Sequence, residues 1–222
     1  MGRMVPLDII SDPICPWCYI GKARLDAAIA EAGQDPFVQR WRIFQLNPDM
    51  PAEGMDRRAY LEAKFGGPDG AAQVYDRIAR EAEANGLALD FDRIARTPNT
   101  MDAHRLIRWS ETTGNQPAVA HQLFVRYFER GEDISDRAVL LDVAESAGME
   151  RDVVARLLES DADIAELGEE DAEARRMGVT GVPTFIVAGR YVLQGAQETA
   201  TWVRAIREIG QAIEAQQPAG AG

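Results

Sequence analysis

Few residues in this chain can carry chemistry, and two stand out by their spacing. Cys15 and Cys18 are the sole cysteines in 222 residues, set in the run Ile14-Cys15-Pro16-Trp17-Cys18-Tyr19. Two thiols three residues apart can alternate between dithiol and disulfide, one attacking a substrate sulfur and the other resolving the mixed disulfide. The alternatives are a pair of zinc ligands or an inert bridge. Zinc normally takes four ligands, and beyond the cysteines only His104 and His121 remain as candidates, at no finger-like spacing. A structural disulfide here would close too small a loop to contribute much chain entropy. The redox reading is preferred, with Cys15 as nucleophile and Cys18 as resolving thiol.

Such a site has to be held at the start of a helix. The apolar run from Val5 to Ile10 leads in, and an amphipathic run follows with Ile20, Leu25, Ala28 and Ile29 on one face. A buried strand handing over to a helix accounts for both. Pro16 suits the first helical position, where its missing N–H costs nothing. Cys15 then falls at the N-cap, its sulfur expected to face the unpaired N–H groups of Trp17 and Cys18. Those donors and the positive end of the helix favour a thiolate, and the nucleophile is expected to be exposed. Asp12 would oppose the charge if it comes near, with Lys22 and Arg24 offsetting it weakly through water. Trp17 is expected either as a partly exposed apolar contact for substrates or as a rim residue packed on neighbouring helices.

Gly33 and Gln34-Asp35-Pro36 end the first helix, and Phe37–Leu46 reads as a second strand parallel to the first. Asn47-Pro48-Asp49-Met50-Pro51 marks a boundary. From Met55 to Asp163 no strand stands out. Helical segments succeed one another there: Met55–Phe65, Ala71–Ala84, Thr100–Thr113, Gln116–Arg130, Ser135–Ala147 and Glu150–Glu159. Asn99 or Thr100 is expected to cap the third and Ser135 the fifth. Arg105 and Arg108 are expected as solvated helix charges, and His121 as a surface or packing residue. A charged helix over Asp163–Met177 leads to the strand Thr184–Val187, a two-residue turn at Ala188-Gly189, the strand Arg190–Gln194 and a last helix from Glu198 to about Ala215. Residues 216–222 are expected to be a disordered tail. Fold class follows as α/β, the thioredoxin order of two parallel strands and then a hairpin. Residues 1–47 and 164–215 form its thioredoxin-like domain, and 48–163 an inserted all-helical domain.

The balance of 36 acidic to 24 basic residues, net charge −12, argues against nucleic acid and against anionic membrane surfaces as partners. The N-terminus goes directly into a strand and lacks the pattern of a secretory signal, and no run reaches the length of a membrane span. A cytoplasmic location is expected, where a lone C-x-x-C is more often catalytic than structural. Gly21-Lys22 lacks the upstream glycine of a phosphate loop, so nucleotide binding is discounted.

Four motifs in order, Cys15-Pro16-Trp17-Cys18-Tyr19-Ile20-Gly21-Lys22, Phe44-Gln45-Leu46-Asn47-Pro48, Asn99-Thr100-Met101-Asp102-Ala103-His104 and Gly178-Val179-Thr180-Gly181-Val182-Pro183-Thr184-Phe185, carry a resemblance over nearly the whole chain. It resembles the DsbA-like thioredoxin superfamily, and within it the FrnE-like proteins. The resemblance implies thiol-disulfide oxidoreductase activity and a cis Val182–Pro183 peptide beside Cys15. Pro183 has no N–H near the reactive sulfur, leaving the backbone of Val182 free to pair with an extended substrate. Pro16, Trp17, Val182 and Asn99 are the candidate substrate contacts, with His104 either a hydrogen-bonded structural residue of its helix or, from its place in the third motif, a lining residue of the cleft opposite Cys15. Strongly oxidising DsbA has Pro-His between its cysteines, whereas Pro16-Trp17 holds no ionisable group, so a less oxidising site is expected. No resident cofactor or metal is implied; glutathione is admitted as a co-substrate, either reductant or mixed-disulfide partner, and a homodimer is compatible. The competing reading is a glutathione-dependent isomerase or transferase, as in the 2-hydroxychromene-2-carboxylate isomerases and kappa-class transferases, which resemble this chain but typically carry serine in place of Cys15. A redox-linked chaperone is a third.

Overall fold

The computed structural model describes residues 4–215. Its elements in chain order begin with β1 (Val5–Ser11), α1 (Pro16–Ala32), β2 (Phe37–Ile43), β3 (Met55–Asp56), α2 (Arg57–Phe65) and α3 (Pro68–Ala84). β4 (Arg96–Thr97), α4 (Met101–Trp109), α5 (Gln116–Phe124), α6 (Arg137–Ser146) and α7 (Arg151–Leu158) follow. The chain closes with α8 (Ile164–Arg176), β5 (Thr184–Val187), β6 (Tyr191–Gln194) and α9 (Thr199–Ala215). The tail expected over 216–222 lies outside the described residues.

Alternation along β1 explains why it is central. Leu7 and Ile9 enter the main core with Phe185 and Trp202, while Ile10 turns to the other side with Phe44, Ala174 and Val179. A strand buried on both faces reads as a largely apolar run, interrupted in β1 only by the half-buried Asp8. The sheet order is β2-β1-β5-β6. β1 runs parallel to β2, Val5 opposite Phe37 through Ser11 opposite Ile43, and antiparallel to β5, Leu7 opposite Val187. Ala188 and Gly189, with φ of 54° and 66°, supply the two left-handed residues that close the β5–β6 hairpin. This is the thioredoxin fold, with α2 to α7 carried between β2 and β5.

Four expectations from the sequence need correction. The segment between β2 and β5 is not wholly helical: β3 and β4 form a two-stranded antiparallel ladder, Met55 opposite Thr97 and Asp56 opposite Arg96. Strands of two residues leave no periodicity to read. β2 stops at Ile43 instead of Leu46, because the N–H groups of Gln45 and Leu46 donate to the carboxylates of Asp171 (3.0 Å) and Asp12 (2.7 Å). Asp136, not Ser135, caps α6, its side chain accepting the N–H of Ala138 at 2.8 Å. The expected helix Gln116–Arg130 leaves α-geometry after Phe124, with a π-helical turn over Val125–Glu129. This turn brings Tyr127 and Phe128 fully into the core.

Candidate active site

The first turn of α1 is fixed by backbone bonds before any side chain acts. Cys15 N–H donates to Asp12 O (2.9 Å), and Cys18 and Tyr19 N–H both reach Cys15 O, at 3.0 and 3.3 Å. Cys15 is the N-cap residue, with Pro16 following it. Its sulfur makes no capping bond to the helix N–H groups; Sγ lies 3.6 Å from Val182 O, in reach of a weak S–H donation. That corrects the expected contact with the Trp17 and Cys18 amides, the second of which is already bonded to Cys15 O. The expected exposure also fails: Cys15 is only 4% exposed. Both cysteines are free thiols.

Cys18 is buried beneath it. Burial pushes the Cys18 thiol well above its usual range, and Cys15 pushes it further, through hydrogen bonding and charge. The Ser11 hydroxyl, otherwise without a partner, and the Asp12 backbone N–H pull it partly back. The deeper sulfur is thus held as a neutral thiol.

Val182–Pro183 is a cis peptide, and the loop carrying it is pinned by Gly195 N–H to Pro183 O (2.7 Å) and Thr184 Oγ1 to Gly181 O (2.8 Å). Gly21 lets α1 approach this loop. A Cβ there would sit 3.0 Å from Pro183 Cγ and 3.4 Å from the Phe185 ring. Gly21→Val is therefore expected to cost about 1–3 kcal/mol by overpacking against a loop that cannot yield, measured by urea unfolding. A glycine inside a helical pattern was the available signal for this position.

Asp12 is fully buried at the β1–α1 joint, its carboxylate accepting Leu46 N–H (2.7 Å) and, at long range, Ile14 N–H (3.4 Å). His104 is also buried, Nε2 3.7 Å from Asp12 Oδ1 and without a hydrogen-bond partner. It faces this carboxylate, not an open surface. Asn99 spends both ends of its amide on the chain, Nδ2 donating to Met50 O (2.7 Å) and Oδ1 accepting Met101 N–H (2.9 Å). Pro16, Trp17 and Val182 are half-buried. Trp17 packs near Val74 and Phe91, with the Arg77 guanidinium 5.9 Å from its ring. Lys22 and Arg24 are buried and committed elsewhere, Lys22 to Asp26 and Arg24 to Glu81, Glu198, Asn85 and Ala196 O. They are not the water-screened charges expected. His121 is half-buried beside Tyr19, and burial lowers its pKa. Among the described residues no cluster of three or more His, Cys, Asp or Glu could hold a metal, and no helix is long and apolar enough to cross a membrane.

A free dithiol at the mouth of the first helix, under a proline loop that enters the antiparallel half of the sheet, defines a thioredoxin-fold protein of the DsbA type. The chain belongs to the family of DSBA-like thioredoxin domains, whose model matches residues 6–207. It is similar to a probable DsbA oxidoreductase from Streptomyces coelicolor: 28% identity, TM-score 0.81, covering 98% of this chain and 94% of that one. The uncharacterized protein YwbO of Bacillus subtilis is 26% identical over 208 residues, 92% of this chain and 96% of YwbO. The cytosolic disulfide reductase DsbM from Pseudomonas aeruginosa, solved with GSH, shares the fold at 20% identity and TM-score 0.62, covering 95% of this chain and 98% of DsbM.

Proposed function

We propose that the protein is a thiol-disulfide oxidoreductase of DsbA/FrnE type working through Cys15 and Cys18. In the reductive direction the Cys15 thiolate attacks one sulfur of a substrate disulfide, forming a Cys15 mixed disulfide and releasing the other sulfur as thiolate. Cys18 gives up its proton and attacks the Cys15 sulfur. The Cys15–Cys18 disulfide forms, the second substrate thiolate leaves, and two electrons have passed to the substrate. Two equivalents of a small thiol such as glutathione would restore the dithiol, leaving one glutathione disulfide. Pro16, Trp17 and Val182 would contact the substrate beside the sulfur, and Pro183 would keep a backbone donor away from it. The reducing cytoplasm is the compartment that suits such a dithiol.

One observation carries the reading: a second free thiol lies directly beneath the first, where Cys15 itself perturbs it. A glutathione-dependent isomerase has no use for that resolving sulfur. Removing it should stall the cycle halfway. The Cys18→Ser variant, mixed with glutathione disulfide, is expected to accumulate a stable Cys15–glutathione adduct in intact-mass spectra, while the wild type resolves it. Absence of any adduct on Cys15 would reject the proposal.

A further inference from the structure

The two cysteines share the first turn of α1 with Trp17, and the side chain that meets Trp17 from α3 includes a cation. Arg77 holds its guanidinium 5.9 Å from the centre of the indole ring. A guanidinium over an aromatic face is attracted to it and loses freedom there. Val74, three residues earlier, and Ile78 and Ala82 after it pack in one cluster with Trp17 and Ile20. α3 therefore lies along the start of α1, and Arg77 is exposed at the border of that contact.

An exposed arginine on a helix usually finds a carboxylate three or four residues away. The one at that spacing, Glu81, is taken: its Oε2 lies 2.7 Å from Nη2 of Arg24. Asp76, the preceding residue, sits about 100° away round the helix. Among the described residues no carboxylate pairs with Arg77. The cations of α1 itself are committed, Lys22 to Asp26 and Arg24 to Glu81 and Glu198. On a chain of net charge −12, whose field turns anions away, an unpaired guanidinium beside the dithiol is a local exception. Its fork of N–H donors matches a carboxylate.

We propose that Arg77 is a specificity-determining residue, taking a carboxylate of a small disulfide substrate while the Cys15 thiolate attacks the sulfur. The substrate class is a disulfide with a carboxylate a few bonds from the reacting sulfur, as in glutathione disulfide. A small molecule suits a sulfur-bearing residue that is only 4% exposed. The inference rests on the reading of Cys15 as nucleophile and adds to it what that nucleophile prefers.

The test uses the Cys18→Ser full-length protein. There the Cys15 thiolate displaces one thiolate of a probe disulfide and keeps the other half as an adduct that intact-mass spectra count. Dithiodipropionate is the anionic probe, hydroxyethyl disulfide the neutral one and cystamine the cationic one, all of similar length. Each variant is compared with its Arg77 parent on the same probe, so intrinsic reactivity cancels. The neutral probe is the denominator for any change in Cys15 itself. Arg77→Gln is expected to lower the anionic-to-neutral rate ratio about two- to fivefold at low salt, the scale of one exposed charge pair. The loss should shrink as salt is added. Arg77→Glu should lower the ratio further and raise the cationic-to-neutral one, and Arg77→Lys should keep part of the preference. Arg80→Gln, the same charge change one turn on, should move the ratio less. A ratio unmoved by Arg77→Gln and Arg77→Glu, or moved as far by Arg80→Gln, overturns the inference and leaves the proposed function standing. No adduct with any probe removes the proposed function, and this inference with it.

Discussion

Cys15→Ser is expected to abolish disulfide exchange. Insulin reduction with glutathione as electron donor should fall on the order of a thousandfold or more, to the uncatalysed rate, because an alcohol is not ionised at neutral pH and makes no bond to sulfur. Cys18 should not substitute for it. It is 2% exposed, and burial, the largest cause of its raised pKa, remains when Cys15 is replaced. The swap removes little volume, so the urea midpoint should stay near that of the wild type. Any capacity to hold unfolded clients would survive, which separates a chaperone from an exchange enzyme. Substantial insulin reduction by Cys15→Ser would contradict the assigned roles.

The second large effect is on stability. Arg105 is 1% exposed and donates to Ala162 O (2.8 Å), Leu157 O (2.6 Å) and Ser160 O (2.6 Å), with Asp102 Oδ1 at 2.7 Å and the Trp109 ring 4.8 Å away. The Asp102 side chain is 42% exposed, so that ion pair is screened and the carbonyls carry most of the weight. Arg105→Met would fill the space but take the donors from three carbonyls, one in the last turn of α7 and two between α7 and α8. A loss of about 3–5 kcal/mol in urea unfolding is expected. Arg105→Lys should recover little, since an ammonium cannot span three acceptors as a planar fork does. A loss below about 1 kcal/mol would mean that water replaces the guanidinium.

Arg105 also shows where sequence reading ends. At its place in α4 it has the spacing of an ordinary surface charge, and nothing local reveals that the segment 157–162 folds over it. The same holds for Arg57, which is buried and donates to the hydroxyls of Tyr75 in α3 (2.7 Å) and of Tyr127 in the π-turn after α5 (3.0 Å). The strand–helix joint around Cys15 was legible because its signals are local: an apolar run, a proline at the first helical position, two thiols one turn apart. Gly33 at the end of α1 and the Ala188-Gly189 turn were legible for the same reason. The burial of Cys15 was not, because the residues that cover it, Val182 among them, lie far along the chain. Nor was the approach of His104 Nε2 to Asp12 Oδ1, which sets α4 against the β1–α1 joint.

The pairing of β1 with β5, Leu7 against Val187, has a consequence for synthesis. Both cysteines leave the ribosome before the loop that shields them, which emerges only after α2 to α8. While α2 to α8 are being made, the nascent chain carries two sulfurs without the loop that encloses them. Contacts of such long sequence separation also form slowly. Stray disulfides with other thiols are therefore a hazard of the newborn chain more than of the mature one, and a thiol-rich surrounding would favour its correct assembly.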